Sequence, residues 1–269
     1  MEINRSNIFE IVNKADLRPD KDYGQNFLVE PQICEKIVGA LNLNEKDTVI
    51  EVGPGLGSLT HFLSLKKCDV TAIDIDKRMI DFLNIVYKDS NVKIIVNDIR
   101  KTDVSNFTKV IGNLPYNITT ETIQYFLLNA KKAERLVFMI QSETFAHFYD
   151  VEGKEYGPTS VLIHLLGIIE KLFVVKAGSF YPVPKCNSTV FVINIDTRTD
   201  YSKAINAFKV AKQLFANRRK TILNNLVNYF KNKDLANKVL EDLNIDPLLR
   251  PEQLKPEIYL AISEYLANK

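Results

Sequence analysis

Asn113-Leu114-Pro115-Tyr116 places a carboxamide, a proline-fixed backbone and a phenol ring on four consecutive residues, directly after the apolar run Val110-Ile111-Gly112. The carboxamide oxygen and a backbone carbonyl both accept hydrogen bonds, so together they can hold the two hydrogens of an exocyclic amine. Pro115 fixes its own φ and steers Leu114 away from helix, which restricts the direction of the Leu114 carbonyl. A flat base can stack on the Tyr116 ring. The same four residues also suit a plain strand-to-helix turn that uses Asn and Pro for structure alone.

Upstream, Thr48-Val-Ile-Glu-Val52 is a short β-branched run, Gly53-Pro-Gly-Leu-Gly57 follows, and Ser58-Leu-Thr-His-Phe-Leu63 starts like a helix. Strand, glycine turn and helix start form a cofactor cradle: glycines let a ligand approach the backbone, and a first helical turn offers free N–H groups. Dinucleotide-binding folds use the same device, so the acids that follow matter. Val70-Thr-Ala-Ile-Asp74 is a second strand, ending in a carboxylate about 21 residues after Gly53, and it suits a ribose diol in either reading. Val92-Lys-Ile-Ile-Val-Asn-Asp98 is a third strand whose terminal Asp98, with Ile99 beside it, can meet an adenine. Glu51 precedes the first glycine and lies near the amino-acid end of the cradle. The pattern fits S-adenosylmethionine better than NAD.

Holding these residues requires strands that end together. Strand-like and helix-like stretches alternate from about residue 48 to 176, which predicts a parallel sheet covered by helices on both faces. Glu134 to Gln141, Lys171 to Val175 and Thr189 to Asp196 read as later strands. From Tyr201 the apolar period becomes helical, through Ala204, Phe208, Ala211 and Leu214, and a last helical pattern ends near Ala267. The expected domains are 1–197, α/β with a leader and helix over 1–47, and 198–269, all-helical.

Composition sets the remaining bounds. The chain has 269 residues, 46% of them hydrophobic and 25% charged, ordinary for a globular protein. The apolar run from Val161 to Val175 is broken by His164, Glu170 and Lys171, so no membrane span is expected. The N-terminus shows neither a signal-peptide core nor an Arg-rich transit pattern, and Cys34, Cys68 and Cys186 read as reduced thiols, so a cytoplasmic location is expected. His61, His147 and His164 lack metal-ligand spacing, and no metal is expected. The net charge of +2 conceals a split: from Thr197 onward there are 13 Lys and Arg against 8 Asp and Glu. Nine basic residues and one acid lie between Lys203 and Lys238. A solvated helix face would account for them, but so one-sided a run beside a base-handling loop favours a phosphate-binding surface.

Five motifs occur in order: Tyr23-Gly-Gln-Asn-Phe-Leu28, Glu51-Val-Gly-Pro-Gly-Leu-Gly57, Asn113-Leu-Pro-Tyr116, Phe180-Tyr-Pro-Val-Pro184 and Phe215-Ala-Asn-Arg-Arg-Lys-Thr221. From about residue 14 onward the chain resembles the rRNA adenine N6-dimethyltransferases, specifically the KsgA-type branch that acts on the small ribosomal subunit. The resemblance implies a Rossmann-like α/β methyltransferase fold, with the strand after Pro184 antiparallel, plus a small helical C-terminal domain. It implies S-adenosylmethionine at Gln25, Asn26, Leu28, Glu51, Gly53, Gly55, Asp74, Asp98, Ile99 and Asn113, leaving S-adenosylhomocysteine as product. Asn113 and Leu114 would then accept from the target amine, with Tyr116 and Phe180 holding the base between them. Gln25 and Asn26 also suit a turn after Gly24, and Phe180 also suits a core position. Arg218, Arg219 and Lys220 would meet rRNA. The implied substrate is two adjacent adenines near the 3′ end of 16S rRNA in an assembling small subunit, handled by a monomer. The Erm-type branch, acting on large-subunit rRNA and conferring macrolide resistance, shares the motifs through Phe180 but not the Arg218-to-Thr221 block. An assembly factor with dispensable methylation is the alternative from another class, and a dehydrogenase is more distant.

Overall fold

The β-branched runs form a seven-stranded sheet in a computed structural model that describes every residue except Lys21, Asp22, Tyr116, Thr197, Asn268 and Lys269. The chain opens with α1 (Ile8–Lys14), β1 (Phe27–Leu28) and α2 (Pro31–Gly39). Strand and helix then alternate through β2 (Thr48–Val52), α3 (Ser58–Ser64), β3 (Asp69–Asp74), α4 (Lys77–Val86), β4 (Val92–Val96), β5 (Lys109–Asn113), α5 (Thr119–Asn129) and β6 (Arg135–Gln141). Helices α6 (Ala146–Tyr149) and α7 (Pro158–Leu166) precede β7 (Gly167–Val175), β8 (Phe180–Tyr181) and β9 (Ser188–Ile195). The rest is helical: α8 (Tyr201–Phe215), α9 (Ile222–Phe230), α10 (Lys233–Asp242) and α11 (Pro256–Ala267).

The sheet order is β4-β3-β2-β5-β6-β9-β7. Strands β4 to β6 run parallel, and β9 pairs antiparallel with β6, as the resemblance implied. Both sheet faces are covered, which is why β6 reads as a continuous apolar run. Val137 and Met139 join Ile37, Val38, Leu59 and Leu63 in one core cluster. Phe138, between them, turns to Phe126 of α5 and Phe191 of β9, at ring separations of 6.2 and 6.0 Å. Each such buried side chain contributes about 1.5–3 kcal/mol. The leader is part of the fold: Ile3, Ile8, Val12 and Leu17 are buried with Phe27, Leu56 and Met79.

The chain divides into two compact units, Met1–Glu143 with Glu170–Asn194, and Thr144–Ile169 with Ile195–Lys269. The expected boundary at 197/198 instead gave residues 144–169 to the α/β unit. They group with the helices because Tyr156 and Val161 are fully buried in one cluster with Ala207, Leu214 and Tyr259. A second difference concerns the third strand, which stops at Val96. Asp98 accepts from the Arg100 N–H and starts a 3-10 turn, Ile99–Lys101.

Candidate active site

Strand β2 is buried up to its last residue, Val52, where the chain turns through Gly53, Gly55 and Gly57 at φ of 65, 53 and 91°. Side chains rarely adopt that region. At Gly55 there is also no room, since a Cβ would sit 3.0 Å from the Phe27 ring. At Gly53 the nearest atom would be the Asn113 carbonyl oxygen, 3.8 Å away, so the turn stays open on that side. The turn walls a cleft of about 300 Å³, at the lower end of the ~300–1,000 Å³ typical of small-molecule sites. Gln25, Asn26, Leu28, Glu51, Gly53, Gly55, Asp74, Asp98, Ile99, Asn113, Leu114 and Phe180 all line it. Every expected cofactor residue is therefore brought to one cleft.

Three acids lie along it in different states. Glu51 is 1% exposed and accepts a hydrogen bond from Thr60 Oγ1 at 2.7 Å. Burial pushes its carboxyl up to about 8, opposed by the Thr60 bond and assisted by nearby Asp74. Burial also raises Asp74, although the N–H groups of Asp76 and Gly55 donate to it and pull the other way. Asp98 differs: the Arg100 guanidinium grips it with Nε–Oδ1 of 3.0 Å and Nη2–Oδ2 of 2.8 Å and holds it below the usual carboxylate range.

Glu51 gives a pH prediction. Its folded pKa of about 8 exceeds the ordinary 4.5, so the folded form holds the proton more tightly. That contribution to stability is complete below the ordinary value and is lost as pH rises through the folded one. Glu51→Gln should therefore gain on the wild type in thermal unfolding between about pH 5 and about pH 8. A constant difference across that range would mean that Glu51 is charged throughout.

The acceptor side is built from β5. Asn113 ends the strand, half-buried, and its Nδ2 donates to the Asn26 carbonyl at 3.1 Å. The amide nitrogen is thereby committed, leaving Oδ1 with no partner among the described residues. The Leu114 N–H is tied to the Met139 carbonyl at 3.0 Å, which fixes the loop against β6. Pro115 then accepts from the Ile118 N–H and the Thr119 hydroxyl as α5 starts. Phe180 is only 3% exposed and belongs to the sheet's core cluster, so it meets the cleft from within the core. Tyr116 lies outside the described residues.

In the helical unit the expected basic block divides. Arg218 is half-buried: Nη2 donates to the Gly153 carbonyl at 2.7 Å, Nε lies 3.6 Å from Glu252 Oε2, and the guanidinium sits 5.9 Å from the Phe215 ring centre. These contacts hold Arg218 within the unit, which sets it apart from the other two residues expected at phosphates. Arg219 and Lys220 are exposed, and neither forms an ion pair among the described residues.

Residues 16–268 match the family Ribosomal RNA adenine dimethylase. The chain belongs to it. Over 253 residues it is 34% identical to Ribosomal RNA small subunit methyltransferase A of Mesomycoplasma hyopneumoniae, covering 93% of this chain and 97% of that one. A dimethyladenosine transferase from Plasmodium falciparum superposes with a TM-score of 0.75 at 24% identity, over 90% of this chain and 98% of that one. The 23S rRNA methyltransferase ErmE gives 0.70 at 21%, over 90% and 100%. At those identities the two structures establish the fold, a Rossmann-like methyltransferase sheet with a helical C-terminal region. As a member of the dimethylase family, the chain is an rRNA adenine methyltransferase.

Within that dimethylase site, sequence reasoning passed over three residues. Ile75 lines the cleft at 54% exposure, an apolar side chain between two acids with no core to enter; that combination was the available signal. Arg100 also lines the cleft and holds Asp98. Asp76 stands behind the wall, and its role depends on contacts with Gln25, far away in sequence.

Proposed function

We propose that this enzyme transfers methyl groups from S-adenosylmethionine to N6 of two adjacent adenosines near the 3′ end of small-subunit rRNA, giving N6,N6-dimethyladenosine and S-adenosylhomocysteine. The observation that carries the reading is Asn113, whose amide nitrogen is held by the Asn26 carbonyl while Oδ1 has no partner among the described residues and is left as an acceptor beside the glycine cradle. The residues present suit the methyl donor. Gly53 and Gly55 admit a ligand to the backbone, Asp74 would accept from ribose hydroxyls, and Asp98 with Ile99 would hold the adenine. Glu51 would face the methionyl end, with Asn26 and Leu28 closing the leader side. When bound, the donor supplies a methyl group activated on a sulfonium.

Adenine N6 is a poor nucleophile because its lone pair is delocalised into the ring. Accepting its hydrogens at Asn113 Oδ1 and the Leu114 carbonyl favours a pyramidal nitrogen and returns lone-pair density to it. No strong base is needed, since the proton can leave once the nitrogen is cationic. Positioning is then the main catalytic device and is worth about 7–11 kcal/mol in favourable cases. Taking the base out of its stack costs a few kcal/mol, and stacking on aromatics such as Tyr116 or Phe180 offsets about 1–3 kcal/mol of it. Cys34 and Cys68 are buried thiols outside any disulfide, which supports action in a reducing cytoplasm; the acting form in this reading is a monomer.

The test uses methyl-labelled donor with small subunits lacking N6-dimethyladenosine, and naked large-subunit rRNA in parallel. Label confined to two adjacent adenosines of the small subunit is expected; label in the large-subunit RNA alone would overturn the assignment. Asp98→Ala should also weaken donor binding several-fold, because a hydrogen bond to a charged acceptor contributes about 1.5–3 kcal/mol. Unchanged affinity in calorimetric titration would place the adenine elsewhere.

A further inference from the structure

Gln25 lines the cleft, but both ends of its amide are used within the protein. Its Oε1 accepts from the Asp20 N–H at 2.9 Å, and its Nε2 donates to Asp76 Oδ2 at 2.9 Å. Its own N–H returns to the Asp20 carbonyl at 3.2 Å. A side chain so engaged has little left for a ligand. Asp76 does not line the cleft and is 4% exposed, and its carboxylate is saturated. Oδ1 accepts from the Arg78 N–H and Nε, each at 3.0 Å, and Oδ2 accepts from Arg78 Nη2 at 2.6 Å as well as from Gln25. The N-cap of α4 accounts for one of these bonds. The Gln25 bond does nothing for the helix, so it calls for another reason.

The reason lies in what Asp76 and Gln25 each hold next. The Asp76 N–H donates to Asp74 Oδ1 at 3.0 Å and so aims the ribose-side carboxylate. On the other side, Gln25 fixes the loop whose next residue, Asn26, presents its carbonyl to Asn113 Nδ2. Without that carbonyl, nothing among the described residues dictates which end of the Asn113 amide faces the cleft. One connected path thus runs from Asp74 through Asp76, Gln25 and Asn26 to Asn113.

We propose that Gln25 and Asp76 are positioning residues, acting through this path to keep the ribose-side carboxylate and the acceptor amide in register, and that Gln25 makes no direct contact with the methyl donor. The inference rests on assigning the cleft to S-adenosylmethionine. It reassigns Gln25 from cofactor ligand to the link between the cofactor and acceptor halves of the site. Loosening it should therefore harm donor binding and methyl transfer together, whereas loss of an ordinary ligand would harm binding alone.

The polarity of the bond supplies the test. Gln25→Glu sets two carboxylates against each other, and Asp76→Asn sets an amide NH₂ against the Gln25 NH₂. Made together, the two changes restore a donor and an acceptor between the two positions with the direction reversed, at the loss of the bond that Oδ2 accepts from Arg78 Nη2. Wild type, Gln25→Ala, each single change and the pair would be compared by calorimetric titration with S-adenosylhomocysteine and its 2′-deoxyribose analogue. Single-turnover transfer to small subunits lacking the modification would be measured at saturating donor, with a melting curve for every variant. Each single variant should bind S-adenosylhomocysteine at least about fivefold more weakly and turn over at least about tenfold more slowly. The deoxyribose analogue should be much less affected, and the pair should do better than Asp76→Asn alone in both measurements. Gln25→Ala leaves the helix cap and the Arg78 pair intact, so it decides the matter even if Asp76→Asn fails to fold. The proposal is overturned if Gln25→Ala alters binding without altering the saturated rate, or if both ligands weaken equally. Failure of the wild type to bind S-adenosylhomocysteine would remove the cofactor assignment itself, and the path with it.

Discussion

Asn113→Ala should slow single-turnover methyl transfer by about two to three orders of magnitude, the usual cost of removing one preorganised polar group aimed at the reacting centre. Binding to small subunits should stay near the wild-type level, because the target base is a small part of any rRNA interface. The motivation is the committed amide, with Nδ2 on the Asn26 carbonyl and Oδ1 left to accept. Asn113→Asp is the companion variant. It keeps an acceptor of the same shape but sets a carboxylate oxygen against the Asn26 carbonyl, so it should also be impaired. Rates from preformed complexes, subunit binding by sedimentation and a melting curve would be taken on the same preparations. Transfer at the wild-type rate in Asn113→Ala would refute activation of N6 by hydrogen bonding at this residue.

The basic block should respond in two distinct ways. Arg219→Ala with Lys220→Ala should weaken subunit binding and make the salt dependence of log K shallower, by about 0.7–0.9 for each phosphate no longer neutralised, with thermal stability unchanged. Arg218→Ala should do the reverse: its partners are the Gly153 carbonyl, Glu252 and the Phe215 ring. The Glu252 Oε2 atom is buried without a hydrogen bond, so removing the nearby cation should lower the melting temperature while leaving the salt slope alone. Donor affinity should change in neither, since the cleft is lined wholly by residues of the α/β unit. If the slope is unaltered in the double variant, these two side chains are not at the rRNA surface.

Much of the scaffold was legible because its strands are buried on both faces and so read as apolar runs, unbroken from Leu136 to Ile140 and interrupted only by Glu51 from Val49 to Val52. The acids Asp74 and Asp98 were legible for a related reason: in a parallel sheet the residues just past each strand collect at one end. What escaped notice depends on distant partners. Nothing near Ile3, Ile8 or Val12 in sequence reveals that they pack with Phe27 and Leu56. Residues 144–169 follow one strand and lead into another, so their place with the later helices shows only through Tyr156 and Val161. Gln25 could be matched to a motif, but its engagement with Asp76 could not be read from spacing. Arg218 looked equivalent to its two neighbours until Gly153 and Glu252 were seen beside it.

Strand β1 pairs with β8, Leu28 opposite Phe180 and Phe27 opposite Tyr181. The Val29 N–H adds a bond to the Ser179 carbonyl, and Arg5 reaches the Gly178 carbonyl. The leader flanking the cofactor cleft and the loop carrying Phe180 are therefore a single ribbon. Local opening proceeds in cooperative units, so the leader and the Phe180 wall should open, if at all, together. The two walls of the cleft thus share one set of backbone hydrogen bonds, and a substitution that loosens β1 is expected to be felt at Phe180.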